Sequence, residues 1–261
     1  REDPDIIIGY NIFGFDYSFM YDRCVELGCA KRFLMLSRNK PAGRYEICTS
    51  YNWKTKRTGL KESSIVIASG QHDLRYAEIP GRLQVDLYNY LRRDYQLTQY
   101  KLDYVAGHFI GDTVKTLQHN TETTPHTTCI ESRNLVGLEE NAYICFEEIA
   151  HSSEMYKGGK KFKVTQVDHD AGCFSIEGIE QPNMSKLVRW GLAKDDVTPQ
   201  DIFRMTNGDN DSRATIAKYC VQDCNLVQQL FRKIDVLTGF IEMASLCSVP
   251  LEFLVMRGQG I

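Results

Sequence analysis

Two aspartates in this chain lie within apolar stretches of sequence, where a carboxylate is expected to be buried and to need a partner. Asp16 ends the stretch "IIIGYNIFGFD", and Asp223 ends "YCVQD" in a segment with helical apolar spacing. A desolvated carboxylate costs several kcal/mol unless it is paired or binds a metal. The alternatives are that Asp16 caps a helix and that Asp223 is solvated. Paired carboxylates also occur in glycosidases, but those pairs do not require a tyrosine one helical turn from the acid.

The elements around Asp16 are predicted from short apolar runs and their flanking residues. Ile6–Tyr10 is typical of a buried strand, because it is β-branched and bounded by Pro and Gly. A helix is expected from about 17 to 27, ended by Gly28. Further predictions are β structure over 44–87, with "YEICTSYNW" and "SSIVIAS" paired as a hairpin, and short helices over 88–94 and 101–109.

The stretch from about 113 to 193 differs in composition and is predicted to be an insertion. "KTLQHNTETTPHTTCIESRN" is polar and Thr-rich, which predicts a loop. "AYICFEEI", "KKFKVTQV" and "GCFSIEGI" predict the strands of a small β module, and "MSKLVRWGLA" predicts a helix. Six alternating apolar residues are expected to bury one face of the module: Ile144, Phe146, Phe162, Val164, Phe174 and Ile176.

The last long element is predicted to be a helix from Ser212 to Leu237. Tyr219 and Asp223 lie one turn apart, on a row beside the main apolar stripe. Asp223 is therefore expected at the edge of a buried face, next to a tyrosine hydroxyl. The stripe itself, with steps of three and four, consists of Ile216, Cys220, Cys224, Val227, Phe231 and Ile234.

Overall composition excludes several classes of protein. Apolar residues make up 43% and charged residues 25% of 261 positions, which is ordinary for a globular domain. No apolar run is long enough to span a bilayer. The nine cysteines are scattered without a CxxC pair, which favours reduced thiols in an intracellular protein. The chain opens directly before a strand and closes on the apolar "LVMRGQGI", so it is expected to be a segment of a longer protein.

A basic stretch from Lys31 to Lys61 contrasts with the net charge of −3. It holds nine Lys or Arg residues against one acid, with Tyr51 and Trp53 among them. Cations beside flat rings suit a single-stranded nucleic acid, and a solvated basic hairpin is the alternative. The candidate DNA-binding residues are Lys54, Lys56, Arg57 and Lys61.

The two aspartate motifs together resemble the second and third exonuclease motifs of family B DNA polymerases. They are "NIFGFD" at 11–16 and "YCVQD" at 219–223. Three longer blocks resemble delta-type replicative polymerases, and the stretch 113–193 lies outside them. Such insertions are typical of large DNA viruses of protists and algae, so a viral source is expected. The blocks are "GRLQVDLYNYLRRDYQLTQYKLDYVAGHFIGD", "ATIAKYCVQDCNLVQQLF" and "EMASLCSVPLEFLVMRGQGI".

The resemblance implies an α/β fold of the RNase H-like (DnaQ-like) 3′→5′ exonuclease type, with a mixed sheet flanked by helices and a small β-rich insert. The implied division gives the exonuclease domain residues 1–112 and 194–237. The β-rich insertion takes 113–193, and 238–261 begin the connection to a polymerase domain.

The resemblance also implies a role for each motif residue. Asp16 and Asp223 would bind two Mg²⁺ or Mn²⁺ ions, and Tyr219 would orient the attacking water. Asn11 and Phe15 would hold the primer end, although Phe15 also has the character of a core residue. The first exonuclease motif, an Asp-x-Glu on an apolar strand, is not found and is expected upstream of residue 1.

The expected function is proofreading, the hydrolysis of mismatched 3′-terminal nucleotides, by a DNA-directed DNA polymerase. Expected partners are primer–template DNA, its single-stranded 3′ end, deoxynucleotides and a sliding clamp bound by other regions, with no membrane. The expected location is the nucleus or a cytoplasmic viral replication site.

Two other functions remain as alternatives for the same chain. A catalytically inactive, DNA-binding scaffold is one, and a free-standing exonuclease is disfavoured by the delta-like run at 242–257. Asp86 in "LQVDLY" is interpreted as structural. A zinc site in the insertion is not expected, because the spacing of its Cys and His residues fits no compact pattern.

Overall fold

The computed structural model describes residues 2–40, 43–44, 46–54, 56–67, 70–121, 125–194 and 199–256. A single π-helical turn, Ile12–Asp16, joins the first strand to the first helix. The strands are β1 (Ile6–Gly9), β2 (Ser50–Asn52), β3 (Arg57–Gly59), β4 (Lys61–Ile67), β5 (Gly70–Tyr76), β6 (Leu83–Asp86), β7 (Gly111–Asn120), β8 (Thr127–Ser132), β9 (Tyr143–Ile149), β10 (Ser153–Met155), β11 (Phe162–Asp168), β12 (Cys173–Glu177) and β13 (Leu187–Ala193). The helices are α1 (Tyr17–Glu26), α2 (Ala30–Phe33), α3 (Leu87–Asp94), α4 (Leu102–Phe109), α5 (Pro199–Thr206), α6 (Asn210–Lys233), α7 (Val236–Cys247) and α8 (Leu251–Met256).

The described residues form a mixed α/β structure of two compact units. The first unit lies within 1–100 and 235–261, and the second within 101–234. Among the described residues, none of the helices has the length and apolar character needed to cross a membrane.

The first unit contains a parallel strand pair and two antiparallel hairpins. β1 pairs with β6, which places Gly9 opposite Asp86. β2 pairs with β3, and β4 pairs with β5. The predicted pairing of "YEICTSYNW" with "SSIVIAS" is therefore wrong. Lys56 (φ 53°), directly before β3, and Gly70 (φ 115°), at the start of β5, both have the positive φ that is common where a chain reverses.

The core of the first unit contains the residues that follow β1. Phe13 and Tyr17 are 2% and 5% exposed, and the hydroxyl of Tyr17 donates a 2.6 Å hydrogen bond to Oε1 of Gln84 in β6. α1 ends near the predicted Gly28, whose φ of 69° suits glycine. One hydrophobic cluster of this core consists of Phe13, Tyr17, Leu34, Cys48, Leu60, Leu74, Tyr76, Ala77 and Ile79.

The second unit contains a seven-stranded antiparallel sheet in the order β10-β9-β11-β12-β8-β7-β13. β13 also pairs with β9, so six of these strands close into a ring and β10 lies outside it. A closed ring leaves those strands without a free edge. The six residues predicted to bury one face are all at most 3% exposed: Ile144, Phe146, Phe162, Val164, Phe174 and Ile176.

Two predictions for this stretch are wrong. The Thr-rich segment contains strands β7 and β8 instead of a loop, and "MSKLVRWGLA" contains strand β13 instead of a helix. Threonine favours strands. Thr128 is fully buried, and its hydroxyl donates a hydrogen bond to the carbonyl of Gly178 at 2.7 Å, which offsets the cost of burying it. In β13 the indole of Trp190 is fully buried, and its Nε1 donates to Oγ of Ser132 at 2.9 Å. Tertiary packing therefore determines both segments.

The two tryptophans of the chain provide a matched test of the ring's core. Trp190→Ala should lower the free energy of unfolding of the second unit by about 3–5 kcal/mol, because it leaves a large cavity. Trp53 is 84% exposed, so Trp53→Ala should change stability by less than about 0.5 kcal/mol. Urea unfolding followed by circular dichroism measures both, and equal effects would contradict a packed ring.

Candidate active site

The turn between β1 and α1 carries Asn11, Phe15 and Asp16. Asn11 is left-handed (φ 61°, ψ 29°), and its carbonyl accepts the N–H groups of Gly14 at 3.2 Å and Phe15 at 3.0 Å. The Asn11 side chain lies over Gly14, where an added Cβ would be 2.3 Å from Oδ1. The turn is therefore tightly packed against itself and holds Asn11 and Asp16 at its two ends.

Asp16 lies beyond the carboxyl end of β1 and is half-buried. It makes no side-chain capping hydrogen bond to α1, so the capping alternative is wrong. Burial raises the pKa of Asp16, opposed by a hydrogen bond from its own backbone. Among the described residues, no cation contributes to its environment, and the carboxylate keeps its capacity to bind one.

Phe15 is an exposed aromatic residue and not part of the core. Its side chain is 59% exposed and stacks on Phe19, with ring centroids 5.7 Å apart and planes 12° apart. Phe13 fills the core position instead. The alternative that Phe15 is a core residue is therefore wrong, and its ring is available to an apolar ligand group beside Asp16.

Asp86 is a buried carboxylate at the end of β6, only 2% exposed. Its Oδ1 accepts the N–H groups of Asn11 at 2.7 Å and Tyr88 at 3.0 Å. Its Oδ2 accepts the N–H of Phe13 at 3.0 Å and lies 3.4 Å from Nδ2 of Asn89. Desolvation raises the pKa of Asp86 to about 6, although the backbone hydrogen bonds oppose this shift. Asp86 therefore links the Asn11–Asp16 turn to β6 and α3.

Helix α6 buries a face that includes Val227 of the predicted stripe but is rotated toward the neighbouring row of Tyr219 and Asp223. Cys220 and Cys224 of the predicted stripe are exposed, whereas Tyr219 and Asp223 are half-buried. Ile216, Phe231 and Ile234 of the stripe are half-buried. The buried residues of α6 are Leu226, Val227 and Leu230.

Asp223 forms an ion pair with Lys194, the residue that follows β13. Nζ of Lys194 lies 2.8 Å from Oδ2 of Asp223 and 4.5 Å from the centre of the Tyr219 ring. Burial lowers the pKa of Lys194, but its hydrogen bonds to Asp223 and Tyr219 outweigh this effect and raise it. The structure therefore groups Lys194, Tyr219 and Asp223 within the second unit.

The available oxygen donors fit a hard divalent cation. Oδ1 of Asp223 is buried and has no hydrogen-bond partner among the described residues. Asp16 also has no neutralising cation among the described residues. Mg²⁺ and Mn²⁺ prefer carboxylate oxygens. Over the described ranges, no three His, Cys, Asp or Glu residues cluster as a metal site. Asp16 belongs to the first unit and Asp223 to the second.

The predicted DNA-binding residues lie on or beside the β2–β3 hairpin. The rings of Tyr51 and Trp53 are 44% and 84% exposed and lie 4.8 Å apart. Lys61 is bound to Glu78 at 2.6 Å, which reduces its availability to a phosphate. The remaining predicted cations are exposed: Lys54, Lys56 and Arg57.

Sequence reasoning missed Lys194 and the bonds made by Asp86. Lys194 carries no local signal, because only the end of β13 places it beside α6. Asp86 had a signal in "VDLY", since an aspartate between an apolar strand and a helix is typical of an N-cap. Its bonds to the distant turn depend on the parallel pairing of β1 with β6.

Comparison with known proteins shows that this chain is similar to DNA polymerases. Residues 1–105, which include the Asn11–Asp16 turn and Asp86, match the exonuclease domain of DNA polymerase family B. The whole chain is 43% identical over 261 residues to a DNA polymerase of Phaeocystis pouchetii virus. This chain therefore contains a segment of the family B exonuclease domain and is similar along its whole length to a viral DNA polymerase. Its exonuclease-domain segment carries the Asn11–Asp16 turn, and α6 follows later in the chain.

Other relatives are DNA polymerases of viral and cellular origin. The chain is 40% identical over its full length to a DNA polymerase of Pyramimonas orientalis virus. It is 25% identical, also over its full length, to the DNA polymerase delta catalytic subunit of Dictyostelium discoideum. The chain spans 24%, 19% and 15% of the lengths of the Phaeocystis virus, Pyramimonas virus and Dictyostelium proteins.

Proposed function

We propose that the chain contributes a 3′→5′ proofreading exonuclease site that hydrolyses mismatched 3′-terminal nucleotides. The observation that carries this proposal is the exonuclease-domain match over residues 1–105, which contains Asn11, Phe15 and Asp16 in one self-packed turn. Tyr219 and Asp223 on α6 complete the proposed residue set.

The proposed fold of the exonuclease part is RNase H-like. Support comes from the parallel pair β1–β6 and from Asp16, which follows the carboxyl end of β1. α/β sheets commonly bind ligands at that edge. The proposed division has the exonuclease domain over 1–112 and 194–237, an insertion over 113–193 and a connection over 238–261. All strands from β7 to β13 lie within Gly111–Ala193.

Asp16 and Asp223 are the proposed ligands of two Mg²⁺ or Mn²⁺ ions. Such ions, when bound, supply positive charge that stabilises attack on a phosphodiester. The neutral hydroxyl of Tyr219 would orient the attacking water by hydrogen bonding. Asn11 would hold the primer terminus through its amide, and the exposed ring of Phe15 would contact the terminal base. Lys194 would restrain the Asp223 carboxylate through Oδ2 and leave Oδ1 for a cation.

The remaining proposals concern the whole polymerase. The whole polymerase would synthesise DNA from deoxynucleotides. It would bind primer–template DNA with its single-stranded 3′ end, and other regions of it would bind a sliding clamp. The proposed location is a site of DNA replication, either the nucleus or a cytoplasmic viral replication site. Lys54, Lys56, Arg57 and Lys61 are proposed DNA contacts, and Lys61 would first have to leave Glu78.

The second candidate function is an inactive exonuclease-like scaffold that binds DNA. One observation favours it: the Lys194 ammonium already neutralises Asp223 at 2.8 Å, as a cation would in an active site. A scaffold would keep this ion pair in the presence of divalent ions. An active exonuclease would bind them through Asp223.

A crystal structure of a family B polymerase that includes this chain, grown with Mn²⁺ and a 3′ oligonucleotide, distinguishes the two functions. For the exonuclease, anomalous scattering should show ions bound by Asp16 and Asp223, with the carboxylates within about 8 Å because two such ions lie about 4 Å apart. Carboxylates much further apart, without ions, would contradict the exonuclease site. The Asp22 carboxylate, which is bound to Arg75 at 3.0 Å, serves as the internal control.

A further inference from the structure

Asp86 makes more hydrogen bonds than a helix cap requires. One bond to the N–H of Tyr88 is sufficient to cap α3. The N–H groups of Asn11 and Phe13, 75 and 73 positions away in sequence, bind the same carboxylate. Both belong to the turn that carries the proposed site residues, so two of the bonds serve that turn.

The turn depends on these bonds because its own backbone is unusual. Asn11 has the left-handed conformation, which is uncommon for residues other than glycine. The Asn11 carbonyl is occupied by the N–H groups of Gly14 and Phe15, and the Asn11 N–H is held by Asp86. Both backbone groups of Asn11 are therefore fixed, which determines the direction of its side chain.

The carboxylate is also placed rigidly. Gly9 and Asp86 are register partners in the β1–β6 pair, so the strand that enters the turn and the group that binds the turn belong to one ladder. Asp86 is 2% exposed, so water cannot replace the bonds it makes. An N–H left without an acceptor in this place would itself be costly.

We propose that Asp86 is a positioning residue for the exonuclease site: it contacts neither DNA nor ions, and it fixes the main-chain path that orients Asn11 and Asp16. This inference rests on the proposed function. Asp86 thereby gains a role beyond the structural one that the sequence indicates. Misplacement of reacting groups by about 1 Å can cost about 100-fold in rate, which gives the expected size of the effect.

Two substitutions separate the turn from the helix cap. Serine and asparagine are both good N-caps, so Asp86→Ser and Asp86→Asn retain the cap of α3. Serine is too short to reach Asn11 and Phe13, and asparagine presents an NH₂ group to N–H donors. Both variants, made in a polymerase that includes this chain, should lower excision of a mismatched primer about 100-fold without loss of incorporation. Hydrogen exchange of peptides covering residues 9–16 should become at least about tenfold faster.

Val85→Ala is the matched control, because Val85 is 1% exposed in β6 beside Asp86 and makes no hydrogen bond to the turn through its side chain. When Val85→Ala lowers the melting temperature as much as the Asp86 variants do, it should still retain excision within about threefold of wild type. Excision retained by both Asp86 variants, or lost equally in Val85→Ala, would overturn the inference. Full excision by Asp16→Ala would instead contradict the proposed function. In that case, hydrogen exchange of residues 9–16 would still decide whether Asp86 fixes the turn.

Discussion

Asp16→Ala and Asp223→Ala are each expected to abolish excision of a mismatched 3′-terminal nucleotide while nucleotide incorporation is retained. Asp16 has no neutralising cation among the described residues, and Oδ1 of Asp223 is buried without a hydrogen-bond partner there. Loss of a bound divalent ion removes several kcal/mol of transition-state stabilisation, which corresponds to about 1000-fold in rate. The measurement is release of a labelled mismatched nucleotide by a polymerase that includes this chain, with incorporation on a matched primer assayed in parallel.

A carboxylate on α1, which follows Asp16, and another on α6, which carries Asp223, control for the charge change. Asp22 in α1 is exposed and paired with Arg75, and Asp211 is exposed in the first turn of α6. Asp22→Ala and Asp211→Ala should leave excision within about twofold of wild type, as expected for surface positions. Substantial excision by the double variant of Asp16 and Asp223 would contradict the proposed roles and favour the inactive scaffold.

The motifs of the candidate site could be predicted from sequence because they are local. Asn11, Phe15 and Asp16 occupy one turn directly after an apolar strand, and Tyr219 and Asp223 occupy one helical turn. The type and spacing of these residues identify them without tertiary information. Their burial could not be predicted in the same way, as the exposed ring of Phe15 shows.

The elements that failed prediction are those whose conformation depends on distant partners. Strand β13 has a sequence that suits a helix, but its pairing with both β7 and β9 outweighs that propensity. Lys194 reaches Asp223 only because this strand ends beside α6. The helix α6 itself was predictable, whereas the exact position of its buried face was not, because that position depends on what packs against the helix.

The ring of strands has features of a module that can be removed from the fold. Gly111 at the start of β7 and Gly191 near the end of β13 are register partners, so the chain leaves and returns at adjacent points. Its interior is filled by its own strands, and Trp190 contacts Phe174 with ring centroids 5.2 Å apart. These observations support the proposal that 113–193 is an insertion.

Helix α4 couples the ring to the rest of the second unit. An added Cβ at Gly191 would lie 2.7 Å from the carbonyl oxygen of Gly107, so α4 packs closely against β13. Val105, Ala106 and Ile110 of this region are fully buried. Removal of the ring would expose part of that face, so a lower melting temperature is expected.

Deletion of residues 113–193, bridged by a short Gly-Ser linker, is expected to leave a polymerase that includes this chain folded and able to incorporate nucleotides. Deletion leaves Asp112 and Lys194 as the ends to be joined. Because Asp112 is the ladder partner of Trp190, four residues before Lys194, the gap is about 14 Å, and a linker of about five residues spans it. Size-exclusion chromatography, thermal melting and primer extension measure the outcome. In the complementary experiment, the isolated stretch 110–194 should unfold cooperatively, and its Trp190→Ala variant should not, because the fully buried Trp190 ring packs among the strands themselves. Loss of folding in the deletion variant, rather than altered excision or partner binding, would show that these strands belong to the core of the exonuclease domain.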